Sequence, residues 1–198
     1  MSGLQASPGG HTLPLAAPLH NGDVLVAASG LISPGVGAPP HPRQTIDPAV
    51  GGLIAVEVQP RRWLDFQFNY QLSHLNESFA TQPGGQTLAS FGSFVQEGSA
   101  EYLFSRQLGQ DKTNPWRAFV GLGGGLLQFS AAAPNSSQTR GAYLVDPGVE
   151  IPTHNEHILF RVDLRATFYR TPNFQNPGLA SSSWTTTVEP TAGVVFHF

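Results

Sequence analysis

A regular alternation of apolar and polar residues runs through the stretch HILFRVDLRATFYR, which begins at residue 157. Between Ile158 and Phe168 every even position is apolar, whereas the odd positions include Arg161, Asp163 and Arg165. Successive side chains of a β-strand point to opposite faces, so a period of two predicts a strand. This strand has one continuous apolar face and one face that carries charges of both signs.

The same alternation recurs along the chain and predicts eight strands. Each is about 10 to 14 residues long, well above the usual strand length of about 5–6 residues. Charged residues make up only 12% of the chain, glycine and proline number 22 and 17, and runs of helix-favouring residues are missing. The pattern predicts an all-β fold, an eight-stranded antiparallel up-and-down barrel. The predicted strands are 23–32, 48–58, 62–73, 93–104, 116–129, 140–151, 156–169 and 185–198.

Composition excludes several other classes of protein. The formal net charge is −3 and the basic residues are scattered singly, so there is no electrostatic footprint for nucleic acid. Cysteine is absent, which removes disulfides and thiolate metal sites. No run approaches the roughly 18 apolar residues of a membrane-spanning helix. No cofactor is expected, and His154 and His157 lie in a predicted turn without a helix to align them, so no metal is expected either.

Residues 1–22 are rich in Gly, Pro, Ser and Ala and are predicted to be a flexible N-terminal segment, ahead of a barrel over 23–198. This segment has no positively charged region before an apolar run, so it is not a signal peptide as it stands. We expect either that a leader has been removed or that the protein is not exported.

The alternation leaves open which face of each strand points into the barrel. In a soluble barrel of the lipocalin type the apolar residues would point inward around a small hydrophobic ligand. The interior of an eight-stranded barrel is only just wide enough for side chains, however, and the large apolar set would overcrowd it. We therefore expect a transmembrane barrel whose apolar residues face lipid. The lipid-facing set is Phe66, Phe68, Phe160, Val162, Leu164, Phe168, Val194 and Phe196.

The opposite face is then expected to form a charge network inside the lumen. Unpaired charges are costly in an interior walled off by lipid, so each arginine requires carboxylate neighbours. Arg117 is a possible third cation, but it lies on the glycine face of its strand, and the orientation of this strand is left open. The predicted network is Arg161, Arg165, Asp163, Glu57, Asp65, Glu97, Glu101, Asp146, Glu150 and Glu189.

Two segments resemble a known family. The chain ends in AGVVFHF, with Phe198 last, and the segment WRAFVGLGGG is similar to a Pro-Phe-Val-Gly-x-Gly-x-Gly strand. With eight long alternating strands, the chain resembles the eight-stranded outer-membrane barrels of diderm bacteria, the outer-membrane protein A-like transmembrane domain group. No peptidoglycan-binding domain follows the last strand, so periplasmic anchoring is not carried over.

The resemblance implies a location in the bacterial outer membrane and contacts with membrane lipids and lipopolysaccharide. It also implies that Phe198 and Phe196 form a C-terminal assembly signal for the barrel-assembly machinery. A structural or surface-interaction role without enzymatic activity is expected. The connections over 33–47, 74–92, 130–139 and 170–184 are expected outside the cell, and their partner stays open.

A third possibility is a lipid-modifying outer-membrane enzyme. Ser73, His74 and Glu77 cluster in sequence at the presumed outer end of the third strand and supply the Ser, His and acid that such enzymes carry near the outer rim. Polar residues at the base of a loop explain the same cluster. The aromatic residues near strand ends are expected to form interfacial girdles; they are Trp63, Tyr70, Tyr102, Phe104, Trp116, Tyr169 and Trp184.

Overall fold

The computed structural model describes nine β-strands, within residues 22–34, 43–61, 63–81, 85–108, 116–131, 137–155, 157–175 and 183–198. The predicted N-terminal segment lies outside the described residues except for Gly22. No helix in the described part of the chain is long and apolar enough to cross a membrane. The strands are β1 (Asp23–Leu31), β2 (Arg43–Ile46), β3 (Ala49–Arg61), β4 (Leu64–Ala80), β5 (Thr87–Leu108), β6 (Trp116–Ala131), β7 (Ser137–Pro152), β8 (Ile158–Arg170) and β9 (Trp184–His197).

Eight of these strands close into a ring. From β3 to β9 each strand pairs antiparallel with the next along the chain, and β1 pairs with both β3 and β9. The predicted fold class, an up-and-down antiparallel barrel, is confirmed. Asp23 and His197 lie opposite each other at one end of the barrel, which we call the lower end. The β4–β5 connection lies at the other, upper end.

The short strand β2 continues the course of β3 after an interruption. β3 pairs with β4 between Ser73 and Leu64, and β2 pairs with the same strand between Glu77 and Ala80. Pro48 lies at the break and has no N–H to donate to the ladder. Residues 33–47, expected to be a loop, therefore include a strand.

Strands β4 and β5 extend far beyond the predicted boundaries. The expected loop 74–92 is mostly strand, because β4 continues to Ala80 and β5 begins at Thr87. The outward side chains of β4 become polar above Leu72. The alternation therefore predicts the end of the strand there, although the paired backbone continues. With 22 residues, β5 is about twice as long as the roughly 9–11 residues that cross a bilayer.

In the lower two thirds of the barrel, most outward side chains are apolar and most inward side chains are polar or charged. A small apolar cluster also lies on the inner face there, formed by Leu25, Ala27, Leu53, Ala55 and Val195. The outward residues Phe68, Phe160 and Val162 are 55%, 54% and 49% exposed, whereas Arg161 and Glu101 on the inner face are each 1% exposed. We call the outward apolar surface the apolar belt; it extends upward to Leu72 on β4, Phe94 on β5 and Phe168 on β8.

Glycines on the inner face allow the strands to approach each other closely. A Cβ atom at Gly148 would collide with the ring of Phe119 and lie 2.7 Å from the Cβ of Asp163. The Phe119 ring in turn lies 4.1 Å from the guanidinium carbon of Arg161. Gly148 therefore leaves the space in which Phe119 packs against a buried arginine.

Gly148→Ala is expected to lower the stability of the detergent-solubilised barrel by about 1–3 kcal/mol, because the added methyl overpacks the interior. Gly141 is the matched control on the same strand, since a Cβ there meets no atom within 4 Å. Thermal unfolding in detergent measures both variants. Equal midpoints for Gly148→Ala and Gly141→Ala would contradict this account.

Candidate functional site in the barrel interior

The lowest layer of the interior is an ionic cluster around Arg117 of β6. Its guanidinium lies 2.8 Å from Glu57, 2.8 Å from Asp65 and 2.5 Å from Glu150. These carboxylates come from β3, β4 and β7, so one side chain joins four strands across the lumen. Charge-assisted hydrogen bonds of this kind are about twice as strong as neutral ones.

Arg161 of β8 adds a second guanidinium to the same layer. It donates to Glu57 at 3.2 Å and to the side-chain oxygen of Gln67 at 2.7 Å. Its Nε lies 3.7 Å from Glu150, and the ring of Phe119 covers its face. Glu57 and Glu150 therefore bridge the two arginines.

Arg165, four residues further along β8, forms a separate layer above the first. It donates to Glu97 at 2.5 Å and to Ser99 at 2.6 Å. Gln71 accepts a longer bond from Arg165 at 3.4 Å and donates to Glu189 at 2.5 Å. The second layer thus connects β4, β5, β8 and β9.

All ten residues of the predicted charge network are buried in the structure. Arg117 also belongs to the cluster. Its odd position places it on the same face as Gly121 and Gly123, and this was the sequence feature that indicated an inward side chain. The complete network contains eight carboxyl groups and three arginines, namely Arg117, Arg161 and Arg165. Glu101 accepts hydrogen bonds from Asn69 at 2.5 Å and Gln67 at 3.3 Å.

The upper third of the interior contains a large apolar cluster, which the sequence did not predict, beside buried polar residues such as Gln44, Glu77 and Thr185. Phe174, in the connection after β8, is buried there, with its ring 4.7 Å from that of Phe91. Tyr169, expected in an outer girdle, is 1% exposed inside this cluster, because its odd position on β8 points inward. We call the cluster the apolar plug. Its buried members are Leu31, Ile46, Leu75, Phe79, Val95, Leu127, Phe129, Ala131, Ala142, Tyr169 and Phe174.

Gln138 of β7 holds the turn that carries Phe174. Its side-chain oxygen accepts the backbone N–H groups of Asn173 at 2.8 Å and Phe174 at 3.1 Å, and its amide nitrogen donates to the Asn173 side chain at 2.8 Å. Phe174 and Gln175 have φ angles of 47° and 61°, a conformation that non-glycine residues adopt only where the surroundings stabilise it.

The residues of the possible enzymatic site do not come together. Ser73 and Glu77 are buried on the inner face of β4, whereas His74 points outward and its ring lies 4.8 Å from that of Phe94. Glu77 lies above the apolar belt and accepts a hydrogen bond from Gln44 at 2.9 Å. Burial raises the pKa of the Glu77 carboxyl to about 7.

The described part of the interior contains a small cavity between its layers. This cavity between Arg165 and the plug, lined by Gln71, Glu97 and Tyr169 among others, has a volume of about 10 Å³, which is about the space of one water. Among the described residues, no group of three or more histidine or acidic side chains is arranged to hold a metal ion. The charged interior is also the opposite of the apolar interior that the lipocalin alternative requires.

The predicted lipid-facing residues lie on the outer surface of the barrel. Phe68, Phe160, Val162, Leu164 and Phe196 are exposed there. Phe66, Phe168 and Val194 share this face by alternation and are partly covered by their neighbours. Phe198 follows β9 and is exposed.

Tryptophans mark both rims of the apolar belt. Trp63 and Trp116 are exposed at the lower rim, and Trp184 at the upper rim packs 6.1 Å from the ring of Tyr143. Such positions are typical of the aromatic girdles of membrane barrels.

Comparison with solved structures finds the same architecture. Neisserial surface protein A superimposes with a TM-score of 0.61 at 14% identity, over 89% of this chain and 97% of that one. The outer-membrane protein OprG from Pseudomonas aeruginosa gives a TM-score of 0.56 at 12% identity, over 91% and 97%. No protein-family model matches the sequence, and no curated protein matches it either. The chain has the fold of the eight-stranded outer-membrane β-barrels.

Proposed function

We propose that this chain is a bacterial outer-membrane barrel with a closed interior and a structural or surface-interaction role, its upper end facing the outside of the cell. Its outer surface contacts membrane lipids and, in the outer leaflet, lipopolysaccharide. The barrel-assembly machinery recognises the C-terminal strand through Phe196 and Phe198.

The inside-out polarity carries this proposal. A water-soluble monomer rarely exposes a contiguous apolar patch larger than a few hundred Å², whereas the outward residues of β8 are apolar from Ile158 to Phe168. A closed ring leaves no unpaired strand edge in lipid, where each unsatisfied backbone group costs several kcal/mol. Both properties fit a bilayer, and the exposed apolar surface does not fit water.

The upper parts of β4 and β5 support a role at the cell surface. Above Leu72 the outward side chains of β4 include His74, Asn76 and Ser78, and the Ser78 hydroxyl lies 3.2 Å from that of Ser90 on β5. These polar side chains suit an aqueous environment. The extension therefore presents a paired and largely polar ribbon above the bilayer, on which Leu88 of β5 is also exposed, and to which a partner can bind.

Cysteine labelling on intact cells tests the location and orientation. The chain contains no cysteine, so Ser78→Cys and Arg106→Cys each introduce a unique thiol, near the upper and lower ends. A membrane-impermeant maleimide is expected to label Ser78→Cys on intact cells and Arg106→Cys only after lysis. The reverse pattern would overturn the orientation, and labelling of neither variant before lysis would contradict surface exposure.

Electrical recording tests the closed interior. We expect no stable single-channel conductance from the wild-type protein in a planar bilayer, because the arginine layers and the plug both obstruct the lumen. Phe174→Ala is expected to stay closed, since the arginines still cross the barrel. Arg165→Ala combined with Phe174→Ala is also expected to stay closed, because Arg117 and Arg161 of the lower layer still cross the lumen. Long-lived conductance in the wild type would contradict the proposal.

A further inference from the structure

A groove lies on the outer surface at the lower rim, beside the tight turn between β3 and β4. It has a volume of about 400 Å³. The Trp63 and Phe104 rings are stacked 6.3 Å apart at its wall, and the backbone N–H of Ser105 donates to the Trp63 carbonyl at 3.0 Å, which fixes that wall. The lining residues are Trp63, Phe104, Ser105, Arg106, Leu108, Ala118, Phe119 and Val120.

The groove arises from the sizes of paired residues. Ala118 of β6 pairs with Arg106 of β5, and its methyl group leaves a depression between larger neighbours. Phe104 and Val120, which pair with each other one step higher, belong to the apolar belt. The groove is therefore continuous with the surface that we assign to lipid.

The described lining of the groove carries a positive charge. Among the described residues that line it, Arg106 is the one charged residue and no carboxylate is present. A second guanidinium lies close by, since the guanidinium carbon of Arg61 is 5.8 Å from the centre of the Trp63 ring. An apolar channel that ends at two arginines is complementary to a molecule with an acyl chain and an anionic head.

We propose that this groove binds an anionic phospholipid of the inner leaflet, with its phosphate against Arg106 and an acyl chain along Trp63, Phe104 and Val120. The inference rests on the proposed function, since it requires the belt to lie in a bilayer with its lower end toward the periplasm. Lipopolysaccharide occupies the opposite leaflet and is not a candidate for this rim. Arginine suits the site because its planar guanidinium can donate two hydrogen bonds to a phosphate.

Tryptophan quenching by brominated lipids tests the proposal. In a background with Trp116→Phe and Trp184→Phe, Trp63 is the sole tryptophan of the chain. The protein is reconstituted in vesicles that contain dibrominated phosphatidylglycerol or dibrominated phosphatidylcholine at equal mole fraction. We expect the anionic lipid to be enriched about fivefold around Trp63, the preference that one arginine near an anionic membrane surface supplies.

Three variants in the same background separate a bound lipid from general attraction. Arg106→Gln is expected to abolish the preference, and Ala118→Leu to reduce it by filling the groove while keeping the charge. Arg170→Gln is the matched control, because Arg170 is also exposed and lies over a tryptophan, Trp184, at the other rim. It is expected to change nothing.

Each of the remaining outcomes contradicts one specific part of the proposal. Equal quenching by the two lipids, or a preference that survives Arg106→Gln, would refute the phosphate contact. A preference unchanged by Ala118→Leu would refute the groove. Absence of quenching by either lipid means that the protein has not inserted, which refutes the proposed function as well.

Discussion

Replacing Arg161 by Met is expected to lower the free energy of unfolding of the detergent-solubilised barrel by about 3–5 kcal/mol, the cost of breaking a buried ion pair by removing one partner. Arg161 is 1% exposed and lies near Glu57, Glu150 and Asp163. Met approximates the volume of the side chain but leaves these carboxylates without one of their cations. Denaturant unfolding, followed by the loss of heat-modifiable gel migration, measures the change.

Arg106→Met is the control for this prediction. Arg106 is an exposed residue of the outer surface near the same end of the barrel, and we expect a change within about 0.5 kcal/mol, as is usual for surface positions. Equal losses for Arg161→Met and Arg106→Met would show that the internal ion pairs contribute no special stability.

A second substitution shows whether the loss of stability in Arg161→Met comes from carboxylates that have lost their cation. Adding Glu57→Gln to Arg161→Met removes one of the carboxylates that lost its partner, although Glu57 still accepts from Arg117 in the single variant. We expect the double variant to be less destabilised than the sum of the two single changes, since residues of one ionic network are coupled. Strict additivity would indicate that Arg161 acts through packing against Phe119.

The alternation of apolar and polar residues along eight strands predicted the barrel, but it did not by itself decide which face of each strand lies inside. A period of two places Arg161 and Arg165 on one face whatever the surroundings, and the length of the strands with the size of the apolar residues indicated that this face is inside. The orientation of Arg117 was left open because glycines occupy several inner positions of β6, so polar residues do not identify its inner face.

The apolar plug was not predicted from the sequence, because the same face of a strand was assumed to stay apolar along the whole strand. On β4 the apolar residues occupy even positions up to Leu72 and odd positions at Leu75 and Phe79; on β6 the change falls between Leu126 and Leu127. The outward and inward faces exchange polarity there without any change in the backbone. Below the switch the barrel is inside out as in lipid, and above it the barrel resembles a water-soluble one, so the switch marks the upper boundary of the bilayer.

This boundary leads to the prediction for Val162→Asp. Val162 lies in the middle of β8, 49% exposed on the belt, with Val149 and Ala192 as its neighbours across the sheet. A charged residue on the lipid face near the bilayer centre costs roughly 2 kcal/mol in a barrel, somewhat less for Asp than for Lys or Arg. We expect a much lower yield of inserted protein when the variant refolds into vesicles.

Ser78→Asp is the matched control, because Ser78 also lies on the outward face but above the polarity switch, where an added carboxylate is in water. Its yield of heat-modifiable, inserted protein is expected to equal that of the wild type. Normal insertion of Val162→Asp would contradict the assignment of the outer face to lipid. Poor insertion of both variants would instead place the upper boundary of the bilayer above Ser78, because the carboxylate at that position would then lie in hydrocarbon too.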